Sequence, residues 1–175
     1  PTMPMFFSED LAEKILKEWG SAKVIAGSNC IAHLNGLNNL MRGVKTLLSP
    51  DGVFIIECNY WGGMVKNTNY SLIYHDHYSY FSLKVWQQFA PKYGMRPFDA
   101  WVTPAQGGSL RLFLCKDDRP ETERLKKLQE DLALLLKNLI RLLKRFLKKL
   151  NFCLMMTRKR LMRWNNTEEN TVFQN

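Results

Sequence analysis

The chain has 175 residues, 46% of them hydrophobic and 23% charged, with a formal net charge of +9. That length suits one domain, or one domain with an appendage, and excludes two of ordinary size. The composition excludes disorder throughout, and the positive excess points to an acidic partner: nucleic acid, an anionic membrane or a phosphorylated ligand.

The charge is uneven. Residues 1–117 carry 11 Lys and Arg against 9 Asp and Glu, a net of +2; residues 118–175 carry 14 against 7, a net of +7. Cys30, Cys58, Cys115 and Cys153 lie far apart with no C-x-x-C pair, and the chain has three histidines. No structural zinc site is therefore expected, and a reduced, cytoplasmic compartment is. Glu9, Asp10 and Glu13 break any early apolar run, so no signal peptide is expected. No window approaches the roughly eighteen uncharged apolar residues of a transmembrane segment. The first residue is Pro1, and the chain is expected to be cut from something longer.

In chain order, Ser8 is placed to cap a helix over EDLAEKILKEW, with Leu11, Ile15, Leu16 and Trp19 on one face and Gly20 as the stop. AKVIAGS reads as a buried strand, and Leu37–Leu48 as a helix. Ser49-Pro50-Asp51-Gly52 reads as a turn, and GVFIIECNYW as a second apolar strand. Strand, helix, turn and strand make a βαβ unit, which predicts two parallel strands buried on both faces. Residues 67–79 read as loop and Leu83–Tyr93 as a helix ended by Gly94. Arg96–Val102 and Ser109–Cys115 read as a hairpin, giving an antiparallel strand at the sheet edge. Pro120 is placed in the first turn of a long helix, with Glu121 and Glu123 near its positive end. Its apolar residues Leu125, Leu128, Leu132, Leu135, Leu139, Leu142 and Phe146 recur in steps of three and four, the spacing of a coiled-coil seam. Residues 165–175 read as a frayed end. The expected division is 1–117, an α/β domain; 118–164, a basic amphipathic helical extension; and 165–175, a tail.

The segment Tyr74-His75-Asp76-His77-Tyr78-Ser79-Tyr80-Phe81-Ser82 resembles the Y-H-E-H-x-x-Y-F-S signature of the S-adenosylmethionine-dependent sugar C-methyltransferases. Three further segments agree in order: Phe6-Phe7-Ser8 with Leu11-Ala12; Ser28-Asn29-Cys30-Ile31-Ala32-His33, which is similar to an N-x-L-A-H stretch; and Gly107-Gly108-Ser109-Leu110-Arg111, which matches a G-G-S-L-R turn. The resemblance covers roughly residues 6–116, and all three histidines fall on histidine positions of the family. Asp76 stands where the family usually has Glu, and Gln106 where a His is common. The Gly-rich cofactor loop of the class I methyltransferase fold has no counterpart here. The resemblance therefore implies a partial Rossmann-like α/β sheet lacking its first strands, with parallel strands first and antiparallel edge strands last.

The family's reaction is methyl transfer from S-adenosylmethionine to a carbon beside the keto group of a nucleotide-linked deoxysugar. Such a reaction needs a base for the α-proton, and a His suits it. By resemblance, His77 is the base with Asp76 beside it, and Tyr74 and His33 contact the sugar or its developing enolate oxygen. His75, Tyr80, Gly107, Gly108, Ser109 and Arg111 would line the nucleotide-sugar site, and Ser28 and Asn29 would touch the cofactor's methionine part. Plainer readings stand beside these. His75 and His77 also fit solvated loop residues, or an H-x-H metal pair for which no third ligand is in view, so no metal is expected. His33 also fits a strand-end core position, the tyrosines simple packing, Gly107-Gly108 any hairpin, and Arg111 a solvated strand residue.

The basic helix, residues 121–150, is expected to dock on the α/β part or on a copy of itself. An anionic membrane and nonspecific contact with nucleic-acid phosphates are the other readings, with no sequence-specific nucleic acid expected. An inactive remnant that recruits a partner through this helix is the alternative to an enzyme.

Overall fold

The structure, a computed structural model, describes residues 2–69 and 71–172, with side chains beyond Leu150 described only at Met155. It divides into two units, residues 1–132 and 133–175.

Helix α1 (Glu9–Trp19) starts where Ser8 Oγ accepts the Leu11 amide and stops at Gly20. Strand β1 (Ala22–Ser28), a 3₁₀ turn (Ile31–His33), α2 (Leu37–Leu47) and β2 (Leu48–Asn59) follow. A short helix α3 (Trp61–Asn67) leads into an irregular segment, and Ser82 caps α4 (Leu83–Phe89), accepting the Val85 amide. The α4 turn continues as 3₁₀ over Ala90–Tyr93 to Gly94. Strands β3 (Arg96–Thr103) and β4 (Ser109–Cys115) form the hairpin, and α5 runs Glu123–Val172.

The four strands lie in the order β1-β2-β4-β3, with β1 parallel to β2, β4 antiparallel to β2, and β3 antiparallel to β4. This is the α/β sheet expected from the sequence, parallel first and antiparallel at the far edge, followed by a long basic helix. One face is the core. Phe54, Ile56 and Cys58 of β2 stand opposite Leu114, Leu112 and Leu110 of β4, all essentially inaccessible. Ala12, Met41, Val44, Leu83, Trp86 and Met95 complete the core. Burying each large apolar side chain is worth about 1.5–3 kcal/mol, so this face supplies most of the sheet's stability.

The structure corrects four expectations. Strand β1 is not buried on both faces: it is an edge strand, and Val24 is 60% exposed. On the second face of β2, Val53 and Ile55 are only partly covered. Ser49–Gly52 does not stand apart as a turn but is absorbed into β2. Ala22 pairs with Leu48 and Val24 with Val53, so extra β2 residues bulge there, and Ser49 Oγ donates to Asp51 Oδ1 at 3.0 Å. Trp61, expected at the end of the strand, begins α3. Pro120 and Glu121 precede α5; Thr122 caps it instead, its Oγ1 accepting the Leu125 amide.

That cap also ties α5 to the sheet. Thr122 Oγ1 donates to the buried Asp99 carboxylate at 2.6 Å, Arg124 pairs with the same carboxylate, and the Thr122 amide donates to the Phe98 carbonyl. The Arg124 guanidinium lies 4.2 Å from the Trp101 ring centroid. Leu125 and Leu132 of the expected seam are buried, whereas Leu139, Leu142 and Phe146 are exposed. Helix α5 continues past Trp164, and residues 173–175 of the expected frayed end lie outside the described residues.

Asp99→Ala is expected to lower stability by about 1.5–3 kcal/mol, the range for hydrogen bonds to a charged group. Amide exchange at Leu125–Leu132 should accelerate more than at β2. Burial raises the thiol pKa of Cys58 to about 12 and of Cys115 to about 11. A raised thiol pKa means less thiolate at a given pH. Alkylation of the native chain near about pH 8 should therefore leave both unmodified, while Cys30, the exposed one of the three described cysteines, reacts ahead of them although partial burial raises its thiol pKa too. Peptide mass mapping reads the order.

Candidate functional site

Register brings the candidate segments to one edge of the sheet. Ser28 is the last residue of β1, Asn59 the last of β2, and Asn59 pairs with Ser109 at the start of β4. The carboxyl ends of the parallel pair and the Gly107-Gly108 turn thus share that edge, which is where open α/β sheets bind ligands. The irregular segment after α3 is pinned there on both sides. The Tyr78 amide donates to the Ala32 carbonyl at 2.9 Å, and the Trp61 amide to the Phe81 carbonyl at 2.9 Å.

His77 is the buried member of the three histidines, 9% exposed. Its Nδ1 lies 2.9 Å from the Leu72 carbonyl oxygen, which can only accept, so Nδ1 carries the proton. That leaves Nε2 with a lone pair, and the Tyr74 hydroxyl donates to it at 2.9 Å. Around the ring, centroids lie at 4.1 Å for Tyr74, 4.8 Å for His33 and 5.9 Å for Tyr80. Tyr80 also donates to the Leu72 carbonyl at 3.4 Å. His33 Nδ1 lies 2.8 Å from the Asp76 carbonyl oxygen and must donate to it, so His33 Nε2 is the deprotonated nitrogen of its neutral ring. A buried imidazole with a fixed tautomer and an accessible Tyr74 beside it can accept a proton at one defined atom.

The Asp76 carboxylate does not orient His77 in this arrangement. It lies 3.1 Å from His75 Nε2, both side chains being mostly exposed, and the backbone oxygen of Asp76 does the positioning, through His33. A carboxylate next in sequence to His77 points across to the other neighbour because the loop turns between Tyr74 and His77, whose amide donates to the Tyr74 carbonyl.

Asn59 was not legible as a site residue. It is 4% exposed, and its Nδ2 sits 3.2 and 3.3 Å from the two ring nitrogens of His77. Its Oδ1 is buried without a hydrogen-bond partner among the described residues, an unspent acceptor in a place where such groups are rare. The available signal was a polar residue closing an apolar strand at its carboxyl end.

The remaining candidates are held apart from the ring. Asn29, with φ of 52°, follows β1; its amide donates to the Glu57 carbonyl and its side-chain amide to Ser28 Oγ at 3.3 Å. Gly107 and Gly108, with φ of 76° and 124°, occupy backbone regions that a side chain disfavours. The Gly108 carbonyl accepts the Tyr60 amide, locking the turn onto the end of β2. Ser109 is fully buried and its hydroxyl donates to the Ala105 carbonyl. Arg111 grips the cross-strand Glu57 carboxylate, with Nε at 2.6 Å and Nη2 at 2.5 Å, and lies over Trp101.

No family model matches the chain. It is similar to C-methyltransferase NovU of Streptomyces niveus, 34% identical over 112 residues, which make up 64% of this chain and 27% of that relative. The chain thus spans about a quarter of the length of the curated relative it matches.

Nitrogen-15 spectra of the neutral protein should show His77 protonated at Nδ1 and bare at Nε2. Tyr74→Phe should perturb the Nε2 resonance and leave Nδ1 in place. A ring protonated at Nε2 instead would mean that the Leu72 carbonyl does not set the tautomer.

Proposed function

We propose that this chain supplies the proton-abstracting side of a methyl-transfer site, acting on a carbon beside the keto group of a nucleotide-linked deoxysugar with S-adenosylmethionine as donor. The observation that carries the reading is the buried His77 ring, its tautomer fixed by the Leu72 carbonyl and its Nε2 facing Tyr74, at the carboxyl edge of a parallel strand pair. The similarity to a C-methyltransferase supports the reaction class.

His77 Nε2 takes the α-proton, and the C–H electron pair passes into an enolate. For this the Tyr74 hydroxyl leaves Nε2; Tyr74 is 43% exposed and has room to turn. The freed hydroxyl then donates to the enolate oxygen, where negative charge develops. The imidazolium keeps its Nδ1–H bond to the Leu72 carbonyl. His33, anchored through Nδ1 to the Asp76 backbone, lies beside the same space and contacts the sugar.

When bound, the donor supplies an electrophilic methyl group. Ser28 and Asn29, exposed or half-exposed polar residues at the end of β1, fit the amino-acid end of such a donor. They offer nothing for its adenine, and the chain contains no G-x-G run to approach its ribose closely. Substrate recognition falls to the solvent-facing residues of the same edge, His75 and Tyr80 with the Gly107-Gly108 turn. Arg111, already spent on Glu57, and Ser109, spent on Ala105, act as supports of that edge.

Proton abstraction can be measured without the donor. With a nucleotide-linked keto-deoxysugar in deuterium oxide, the chain should exchange the α-hydrogen, and His77→Gln should slow this by about 10²–10⁴-fold. Tyr74→Phe should also slow it, by a smaller factor. If the chain exchanges no faster than buffer, the base assignment fails. A calorimetric titration with S-adenosylhomocysteine tests the Ser28–Asn29 contact separately.

A further inference from the structure

Beyond Leu132, α5 changes chemical character. Up to that point it mixes Glu123, Arg124, Lys126, Lys127, Glu130 and Asp131, and its buried apolar residues are Leu125 and Leu132. From Ala133 to Leu150 there is no acidic residue, while Lys137, Arg141, Lys144, Arg145, Lys148 and Lys149 are all cationic. Over the same span Leu139, Ile140, Leu142, Leu143, Phe146 and Leu147 are between 37% and 61% exposed.

These two sets occupy opposite sides. At about 100° per residue the apolar side chains from Leu135 to Leu150 span an arc of roughly 160°, and the six cations the remaining side, with Leu134 alone out of place. A coiled-coil seam is narrower and is flanked by charges of both signs. Here one flank of the seam is Leu136, Leu143 and Leu150 and the other is Asn138 and Arg145, and Lys149 falls where the seam itself would continue. A second copy packed on the apolar arc would leave the six cations outside the interface, with no acid in the segment to pair with them across it. Nucleic acid would satisfy the cations and leave the apolar arc in water. A surface that is negatively charged outside and apolar beneath satisfies both.

We propose that residues 133–150 form a binding site for an anionic lipid surface, lying in its plane with the apolar arc among the acyl chains and the Lys and Arg side chains at the head groups. The segment is about 27 Å long as a helix. It is too cationic to span, and among the described residues no helix is long and apolar enough to cross a membrane. A wide apolar face opposite a cationic one is the pattern of interfacial helices. The inference does not depend on methyl transfer.

The intact chain should float with vesicles of phosphatidylcholine containing about one-third phosphatidylglycerol, and not with phosphatidylcholine alone. Replacing four cations together (Lys144→Gln, Arg145→Gln, Lys148→Gln, Lys149→Gln) should lower the partition coefficient about a hundredfold or more. Leu143→Ser with Phe146→Ser, which keeps every charge, should also abolish flotation, with helicity in detergent confirming that the segment still folds. The proposal is overturned if the serine variant floats like the parent, or if a DNA duplex strips the chain from vesicles at equal charge concentration. It is equally overturned if the parent stays off anionic vesicles and sediments as a dimer that the serine variant dissolves.

Discussion

Strand β2 has to satisfy its backbone on both sides, and it does so in two different ways. On one side it pairs in parallel with β1; on the other it pairs antiparallel with β4. Buried backbone groups tolerate few vacancies, so the register is set over the whole length of each ladder, and not at its ends alone. The pairs Ser28–Glu57 and Asn59–Ser109 follow from it. Three chain segments separated by dozens of residues, the ends of β1 and β2 and the start of β4, therefore meet on neighbouring strands. The candidate site is a consequence of that alignment: a one-residue slip of β2 against β4 would turn Asn59 away from His77 and put Glu57 into the core.

The segment carrying His77 has no regular secondary structure to hold it. Its order comes from the cost of burying a polar ring. Each imidazole nitrogen needs a partner, and the Leu72 carbonyl and Tyr74 hydroxyl meet that need from within a few residues. The Tyr78–Ala32 and Trp61–Phe81 bonds then fasten the segment to the ends of β1 and β2. In this scheme Asp76 matters as backbone, anchoring His33, more than as a carboxylate. That placement tolerates Asp in place of a longer Glu, because the oxygen that reaches His33 belongs to the main chain.

The parts of the fold that were legible in the sequence are those where one face is buried and the other is not. Helices α1 and α2 and strands β3 and β4 are legible directly, and Ser8 and Gly94 mark ends through cap chemistry. Helix α3 was hidden because it opens Trp61-Gly62-Gly63, and glycine disfavours helix while leaving no apolar stripe. The tight fit of Gly62 against Tyr60 explains its presence but is a tertiary fact. The Ser49–Gly52 segment has the composition of a turn and is held as a bulge in a strand, because β1 pairs on both sides of it, Ala22 with Leu48 and Val24 with Val53. Whether AKVIAGS sits at an edge or in the middle of a sheet is decided by strand order, which seven residues do not encode. Three of the four ordered motifs, at residues 28–33, 74–82 and 107–111, fall along the edge of the candidate site, yet they gave no sign of Asn59, nor of the turn that sends the Asp76 carboxylate to His75.

Helix α5 shows what apolar spacing leaves unsaid. Steps of three and four describe a stripe at Leu125 and at Phe146 alike, yet Leu125 is inaccessible and Phe146 is 61% exposed. The difference lies in what surrounds the stripe. Around Leu125 the Asp99 carboxylate receives Thr122 and Arg124, so a cation of the helix meets an anion of the sheet. From Ala133 to Leu150 the cations share their stretch of helix with no acidic residue, and the stripe widens toward half the circumference. Apolar width and missing countercharge separate this stretch from the one around Leu125, and together they are the pattern described for interfacial helices. The net charge of +9 therefore carries little information about the candidate site, whose domain is nearly neutral; it belongs to a segment with its own physical requirement.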